Sequence, residues 1–83
     1  MYSVWFSEKS KKELSKLPKN IQEVILNKVN SIRHEPLRYL KKLEGSKLWR
    51  LRIMDYRTII DVIITENKII ILTIDKRSKV YDR

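Results

Sequence analysis

Two arginines alternate with apolar residues in the segment Leu48-Trp49-Arg50-Leu51-Arg52-Ile53. Because side chains alternate across a β-strand, Arg50 and Arg52 are expected on one face, roughly 6.6 Å apart, close to the spacing of successive phosphates along a nucleic-acid strand. Arg57 follows a short turn and can join the patch from the neighbouring strand. Arginine's planar donor fork suits phosphate, so the pattern predicts a phosphate-binding surface. The alternative is the solvated face of an amphipathic hairpin.

A second basic cluster follows the last apolar run, Asp75-Lys76-Arg77-Ser78-Lys79-Val80-Tyr81-Asp82-Arg83. It begins at the end of an expected strand, where a rigid scaffold often positions functional residues. Tyr81, lying among cations, is suited to stack on a base or to hydrogen-bond a phosphate. The alternative for this cluster is a basic tail without a specific role.

The charge of the chain favours a polyanionic partner. Its 83 residues include 19 Lys+Arg against 10 Asp+Glu, a formal net charge of +9, which indicates nucleic acid, an acidic protein or an anionic surface as the partner.

The length predicts one domain, residues 1–83, with a modest core. The absence of cysteine excludes disulfides and thiolate zinc sites. Without a membrane-length apolar run or a signal-like N-terminus, we expect a cytoplasmic protein with no membrane partner.

Other chemistries lack the residues they require. Glycine occurs once, at Gly45, which excludes glycine-rich phosphate loops. The single histidine, His34, lies near a helix end and is expected to cap it, and no serine has a suitable histidine partner for a hydrolase triad. The aspartates Asp55, Asp61 and Asp75 follow no metal-ligand spacing. The sequence therefore predicts a site without metal or cofactor.

The first half of the chain predicts one strand and two helices. Residues 2–6 are aromatic and β-branched, as in a strand. Ser7 is expected to cap a helix over residues 8–17, which the first proline ends. Asn20 is expected to cap a second helix, with Glu23 completing a capping box. That helix carries an apolar stripe and ends before the second proline, so the two helices should form an antiparallel hairpin.

The second half predicts a sheet. Strands are expected over 48–53, 56–65 and 69–74, joined by turns at 54–55 and 66–67, and such short connections favour antiparallel pairing. The last strand is almost wholly apolar, so we expect it in the centre, buried on both faces. The fold class is α+β: an N-terminal strand, a helix hairpin, then antiparallel strands in one sheet, with the helices on one face. The other face should be partly open and carry the site.

Three segments resemble the RelE/ParE toxin superfamily: Lys42-Leu43-Glu44-Gly45, the hairpin from Leu48-Trp49-Arg50-Leu51-Arg52 through Asp55-Tyr56-Arg57, and Asp75-Lys76-Arg77-Ser78-Lys79-Val80-Tyr81. The order of elements is similar as well, and the likeness covers nearly the whole chain. The resemblance implies a RelE-like, microbial-RNase-like fold. It also implies a toxin of a type II toxin–antitoxin system that cuts messenger RNA in the ribosomal A site. A RelB-like antitoxin, the ribosome and mRNA would be its partners, and it would need no small-molecule cofactor.

The resemblance also implies roles for individual residues. In the RelE branch the chemistry is served by basic residues on the two hairpin strands and by an arginine and a tyrosine near the C-terminus. These positions fall on Arg50, Arg52, Arg57, Arg77 and Tyr81. Neighbouring lysines are expected to bind RNA: Lys42, Lys47, Lys76 and Lys79. The gyrase-inhibiting ParE branch usually lacks the catalytic set, so its presence favours the ribonuclease.

Metal-independent RNA cleavage uses the substrate's 2′-hydroxyl as nucleophile and requires orientation, proton transfer and charge stabilisation. We expect Arg57 and Arg77 to stabilise charge, Arg50 and Arg52 to hold phosphates, and Tyr81 to orient a base or share in proton transfer. RelE-type enzymes often carry lysines where this chain has Arg50 and Arg52, and arginine cannot act as a base. A nearby lysine, ribosomal RNA, or positioning with charge stabilisation must compensate. The isolated protein is therefore expected to cut free RNA poorly.

Three other functions remain open from the sequence. The first is inhibition of DNA gyrase, as in the ParE branch. The second is a non-enzymatic module that binds RNA or the ribosome, which needs the basic face but neither the arginine nor the tyrosine near the C-terminus. The third is an α+β domain whose charge reflects composition alone, which would show no salt-dependent affinity for RNA.

Overall fold

A single five-stranded sheet organises the protein, and the computed structural model describes residues 1–76. The strands are β1 (Ser3–Phe6), β2 (Lys41–Lys42), β3 (Trp49–Ile53), β4 (Tyr56–Ile63) and β5 (Lys68–Lys76), and the helices are α1 (Glu8–Ser15), α2 (Lys19–Ser31) and α3 (Pro36–Tyr39). The strand order is β1-β5-β4-β3-β2, with β1 parallel to β5 and the other pairs antiparallel. The predicted α+β class with one sheet is confirmed.

Both predicted hairpin turns form, and each places one side-chain-bearing residue in the left-handed region. Met54 has φ 55° between β3 and β4, and Asn67 has φ 53° between β4 and β5. Asn tolerates this conformation better than Met does. The strand predicted over 56–65 ends at Ile63, because a short 3-10 helix, Ile64–Glu66, follows it.

The two long helices begin differently. Ser7 caps α1 as predicted, and its hydroxyl accepts a hydrogen bond from the Ser10 N–H at 3.0 Å. The predicted capping box at Asn20 is wrong, because α2 already begins at Lys19 and has no side-chain cap. Pro18 precedes its first turn, where a missing N–H costs nothing and the fixed φ suits helix entry. Asn20 therefore lies inside the helix.

The core lies between α2 and one face of the sheet. Its buried apolar residues are Ile25, Val29, Ile32, Leu40, Leu51, Ile53, Tyr56, Ile60, Ile69, Ile71 and Ile74. On the opposite face, here called the open face, Ile59, Ile70 and Thr73 remain half-buried. No helix within residues 1–76 is long and apolar enough to cross a membrane. The sheet therefore has one face packed and one face accessible.

Three features of the sheet differ from the sequence prediction. β5 is an inner strand, between β1 and β4, but the middle strand of the five is β4 and not β5. Ile70 is only half-buried, so the apolar run of β5 does not reflect burial on both faces. Two short elements, α3 and β2, were not predicted, and Pro36 begins α3 instead of merely following α2. α3 and β2 form one wall of the site described below.

Candidate nucleic-acid interface

Strand pairing brings three arginines onto the open face. Arg52 pairs directly with Arg57, and Arg50 pairs with Ile59. Directly opposite residues share a face of a sheet, as do residues two apart along a strand. Arg50, Arg52 and Arg57 therefore lie on the same side, away from the core. The structure thus brings together the three arginines of the predicted site that lie within residues 1–76.

A row of charged side chains crosses three strands at one end of this face. Arg52 is exposed, and its Nε donates to the Met54 carbonyl oxygen at 3.3 Å. Arg57 lies opposite Asp75 on its other side, with its Nη2 3.8 Å from the Asp75 Oδ2. The Arg57 side chain is 32% exposed. Asp75 thus holds the central guanidinium of the row against the sheet while leaving it accessible.

A cleft of about 390 Å³ adjoins the arginines. It is lined by Lys28, Tyr39, Lys41, Arg50, Leu51, Arg52 and Arg57. β2 pairs only with Trp49 and Arg50, so it leaves the outer edge of the rest of β3 uncovered. Five of the seven lining residues are cations and none is acidic, so the cleft favours an anionic ligand. Its volume is in the range that holds small ligands.

Three of the lysines predicted to bind RNA lie within residues 1–76, and they are not gathered around the arginines. Lys42 pairs with Trp49 on the core side of the sheet, and its Nζ lies 5.3 Å from the centre of the Trp49 ring. Lys76 pairs with Tyr56, also on that side, with its Nζ 6.0 Å from the Tyr56 ring centre. Lys47 is exposed in the segment between β2 and β3. Any RNA contacts of these lysines would therefore lie beside or behind the open face.

The structure instead adds three residues that the sequence reasoning missed. Lys41 pairs with Arg50 and shares its face, while Lys28 and Tyr39 line the same cleft from α2 and α3. A two-residue strand leaves no periodic pattern, so Lys41 had no sequence signal. Lys28 had one, because it is a cation at a helical-stripe position among apolar residues.

The remaining predicted site residues, Arg77, Lys79 and Tyr81, lie outside the described residues. The described part of β5 ends at Lys76, one residue beyond the Arg57–Asp75 pair. The assignment of Arg77, Lys79 and Tyr81 to the site remains a prediction from the sequence.

The described site is suited to bind and stabilise phosphate. Guanidinium groups donate hydrogen bonds but stay protonated, so they cannot remove a proton from a nucleophile. Within residues 1–76, no group of three or more His, Cys, Asp or Glu side chains is placed to hold a metal ion. The arrangement supports charge stabilisation in a phosphoryl-transfer reaction more directly than base catalysis.

This fold, with its cationic face, defines a class of small toxins. The structure superposes on the RelBE2 toxin–antitoxin complex of Mycobacterium tuberculosis with a TM-score of 0.83 at 28% identity, covering 92% of this chain and 98% of that one. It superposes on the archaeal RelE–RelB complex of Pyrococcus horikoshii with a TM-score of 0.81 at 30% identity, covering 95% and 98%. The chromosomal ParDE system of P. aeruginosa is similar in fold, with a TM-score of 0.74 at 16% identity over 92% and 96%.

The family follows from the sequence match. The model of the family described as ParE toxin of type II toxin–antitoxin system, parDE, matches residues 4–81. A comparison with curated protein sequences found no match. The chain belongs to the ParE toxin family of type II toxin–antitoxin systems, within the RelE/ParE superfamily, which confirms the resemblance seen in its sequence.

Proposed function

We propose that this toxin is a ribosome-dependent endoribonuclease that cuts messenger RNA in the A site without a metal ion. The observation that carries the proposal is the direct pairing of Arg52 with Arg57 on an open face beside a cationic cleft. Cross-strand charge pairs change sheet stability by roughly 0.2–1 kcal/mol, and like charges directly opposite destabilise. Asp75 lies on the side of Arg57 away from Arg52, and a bound phosphate would reduce the remaining repulsion, so the arrangement favours an anionic ligand over a purely structural role.

In the proposed reaction the 2′-hydroxyl oxygen attacks the adjacent phosphorus, and the 5′-oxygen leaves in line. The 2′-hydroxyl loses its proton, the 5′-oxygen gains one, and the products are a 2′,3′-cyclic phosphate and a 5′-hydroxyl. Arg57, positioned by Asp75 at 3.8 Å, would stabilise the charge on the non-bridging oxygens. Arg50 and Arg52 would hold the reacting phosphate or its neighbours.

Two residues outside the described range and four lysines complete this proposal. Arg77 would add a second guanidinium at the reacting phosphate, and Tyr81 would stack on or orient a base. The lysines expected to bind RNA would contact its backbone: Lys42, Lys47, Lys76 and Lys79. These assignments rest on the family resemblance.

Dependence on the ribosome is proposed because the described arginines supply no general base. The three described arginines cannot accept the proton of the 2′-hydroxyl. If the ribosome orients the RNA and assists proton transfer, the toxin needs only to position and stabilise charge. We therefore expect free RNA to be cut poorly.

An antitoxin would bind the same basic surface. The similar structures from M. tuberculosis and P. horikoshii are toxin–antitoxin complexes. A RelB-like partner with an acidic segment and an apolar helix would complement both the charge and the half-buried apolar residues of the open face. Such a partner could fold as it binds. Copurification with the product of the adjacent gene tests this part.

The test of the main proposal is translation in a cell-free extract, followed by mapping of mRNA 5′ ends. Wild type should cut only translated mRNA, and Arg57→Ala should lower cutting roughly 100-fold or more, as loss of one oxyanion donor does. Lys9→Ala, an exposed change on α1, is the matched control and should cut normally. No cuts by wild type while ribosome binding persists would indicate the non-enzymatic module instead.

Gyrase inhibition is the second candidate, because the matching family is named for ParE and the ParDE structure shares the fold. It predicts DNA-damage signalling and loss of supercoiling by purified gyrase. Inhibition of supercoiling without mRNA cuts would replace the ribonuclease proposal.

A further inference from the structure

We infer that Lys28, Tyr39 and Lys41 form a subsite for a nucleotide flanking the scissile phosphate. The Tyr39 ring stacks on the base, and the two lysines bind phosphate. The inference rests on the proposed function of the same cleft and identifies its ligand as single-stranded RNA. None of the three residues belongs to the set that the family resemblance marks as catalytic.

Three separate elements bring these residues to the cleft. Lys28 comes from α2, Tyr39 ends α3, and Lys41 begins β2. Lys41 lies directly opposite Arg50, so its backbone is roughly 5 Å from that of the arginine strand. The subsite is thus continuous with the patch formed by Arg50, Arg52 and Arg57, and it extends that patch outward past the edge of β3.

Tyr39 has the accessibility and support that a stacking residue needs. Its side chain is 53% exposed although it lines the cleft. The Arg38 guanidinium carbon lies 5.9 Å from the ring centre, and Arg38 Nη1 is in turn 3.2 Å from Glu35 Oε1. These contacts restrain the ring without burying it. An exposed ring beside cations is the usual platform for the bases of single-stranded nucleic acid.

The two lysines favour an anion at this position. Within residues 1–76, the ion pairs involve Lys11, Arg38, Arg57 and Lys68, so neither Lys28 nor Lys41 has a carboxylate partner there. No acidic residue lines the cleft. Lysine binds phosphate as a point charge that tolerates several backbone geometries. The subsite should therefore bind a flanking nucleotide with little preference for base identity.

The test uses a fluorescent single-stranded RNA oligonucleotide carrying a 2′-deoxy residue at the cut position, so that it cannot be cleaved. Binding to purified toxin is measured by anisotropy over a range of salt concentrations. Tyr39→Ala should weaken binding roughly 5- to 150-fold, the range for one stacked base. Tyr39→Phe keeps the ring and should bind within about twofold of wild type.

The lysines are tested by salt dependence. Lys41→Gln should lower the slope of log affinity against log salt by about 0.7, the value for one phosphate contact on a single strand, and Lys28→Gln should do the same. Lys19→Gln, an exposed change at the start of α2, removes the same charge and should leave the slope nearly unchanged. Circular dichroism of every variant establishes that it is folded.

Two comparisons between variants overturn the subsite: equal affinity of Tyr39→Ala and Tyr39→Phe, or equal slopes for Lys41→Gln and Lys19→Gln. Absence of any binding by wild type also overturns it. The cell-free cleavage assay separates this outcome from failure of the proposed function. Wild-type cuts with no effect of Tyr39→Ala on affinity would leave the nuclease and remove the subsite. Loss of affinity in Tyr39→Ala without any wild-type cuts would leave an RNA-binding site and remove the nuclease.

Discussion

Replacing Arg52 with glutamine should stabilise the fold while weakening RNA binding. Arg52 lies directly opposite Arg57, and like charges in this position destabilise a sheet. Because Arg52 is exposed, solvent reduces the repulsion to the lower part of the cross-strand range, roughly 0.2–0.5 kcal/mol. For a domain of this size that corresponds to a rise in Tm of roughly 1–4 °C. Glutamine keeps a side-chain donor that can reach the Met54 carbonyl oxygen.

The assay is thermal and urea unfolding of the purified toxin at low and high salt. Lys47→Gln is the matched control, because Lys47 is an exposed loop residue and its replacement removes one charge without relieving a cross-strand pair. The gain from Arg52→Gln should shrink in high salt, since ions screen exposed charges over about 3 Å at 1 M. The same variant should bind RNA with a salt slope smaller by about 0.7.

Two results would refute this reasoning. If Arg52→Gln and Lys47→Gln change Tm equally, net charge and not the facing arginines is responsible. If Arg52→Gln lowers stability at low salt, the guanidinium stabilises the hairpin, and the argument that the pair favours an anionic ligand fails.

Three further substitutions test the fold around the site. Met54→Gly should raise the free energy of unfolding by about 0.5–1 kcal/mol in thermal unfolding, because Met54 has φ 55°, where a side chain is strained. Glu13→Ala should lower it by about 1.5–3 kcal/mol in urea, because the carboxylate accepts from Thr73 Oγ1 at 2.9 Å and from the Ile74 N–H at 2.8 Å. Ile25→Val should lower it by about 0.5–1.5 kcal/mol in urea, because Ile25 is fully buried.

Each of these has a control that separates the mechanism from a general effect. Met54→Ala keeps a β-carbon and should give no gain; an equal gain would contradict strain at φ. Glu13→Gln keeps one acceptor oxygen and should cost less than alanine, so equal losses would argue against the hydrogen bonds. Val24 lies on the exposed side of α2 at 40% exposure, so Val24→Ala should lower the free energy of unfolding less than Ile25→Val does. A larger loss for Val24→Ala would indicate that the core lies on the other side of α2.

The elements that local rules determine were predicted well. The Ser7 cap could be predicted because it is a local contact, in which the hydroxyl accepts from the Ser10 N–H three residues later. The two-residue turn between β3 and β4 sets the pairing of Ile53 with Tyr56, and that register places Arg52 opposite Arg57. The patch formed by Arg50, Arg52 and Arg57 could be predicted. The short turn sets the register of the two strands, and the two-residue period of a strand sets which side chains share a face.

The parts that depend on contacts distant in sequence could not be predicted. β2 contains only two residues, and it exists because it pairs with Trp49 and Arg50. One local feature was also missed: Pro18 displaced the cap expected at Asn20, since the helix starts directly after this proline. The alternation that puts Arg50 on the open face also puts Lys42, through its pairing with Trp49, on the other side.

The pairing of β1 with β5 has a consequence for how the chain folds. Ser3 lies beside Lys68, so the first strand finds its partner only after nearly all the described chain has been made. Contacts between such distant segments slow folding, because a long loop must close before they form. Until β5 is in place, β1 lacks its neighbour and the central β4 has an open edge, so chains arrested before Lys68 should be readily digested by protease. The sheet, and with it a rigid support for the arginines, is therefore completed late in folding.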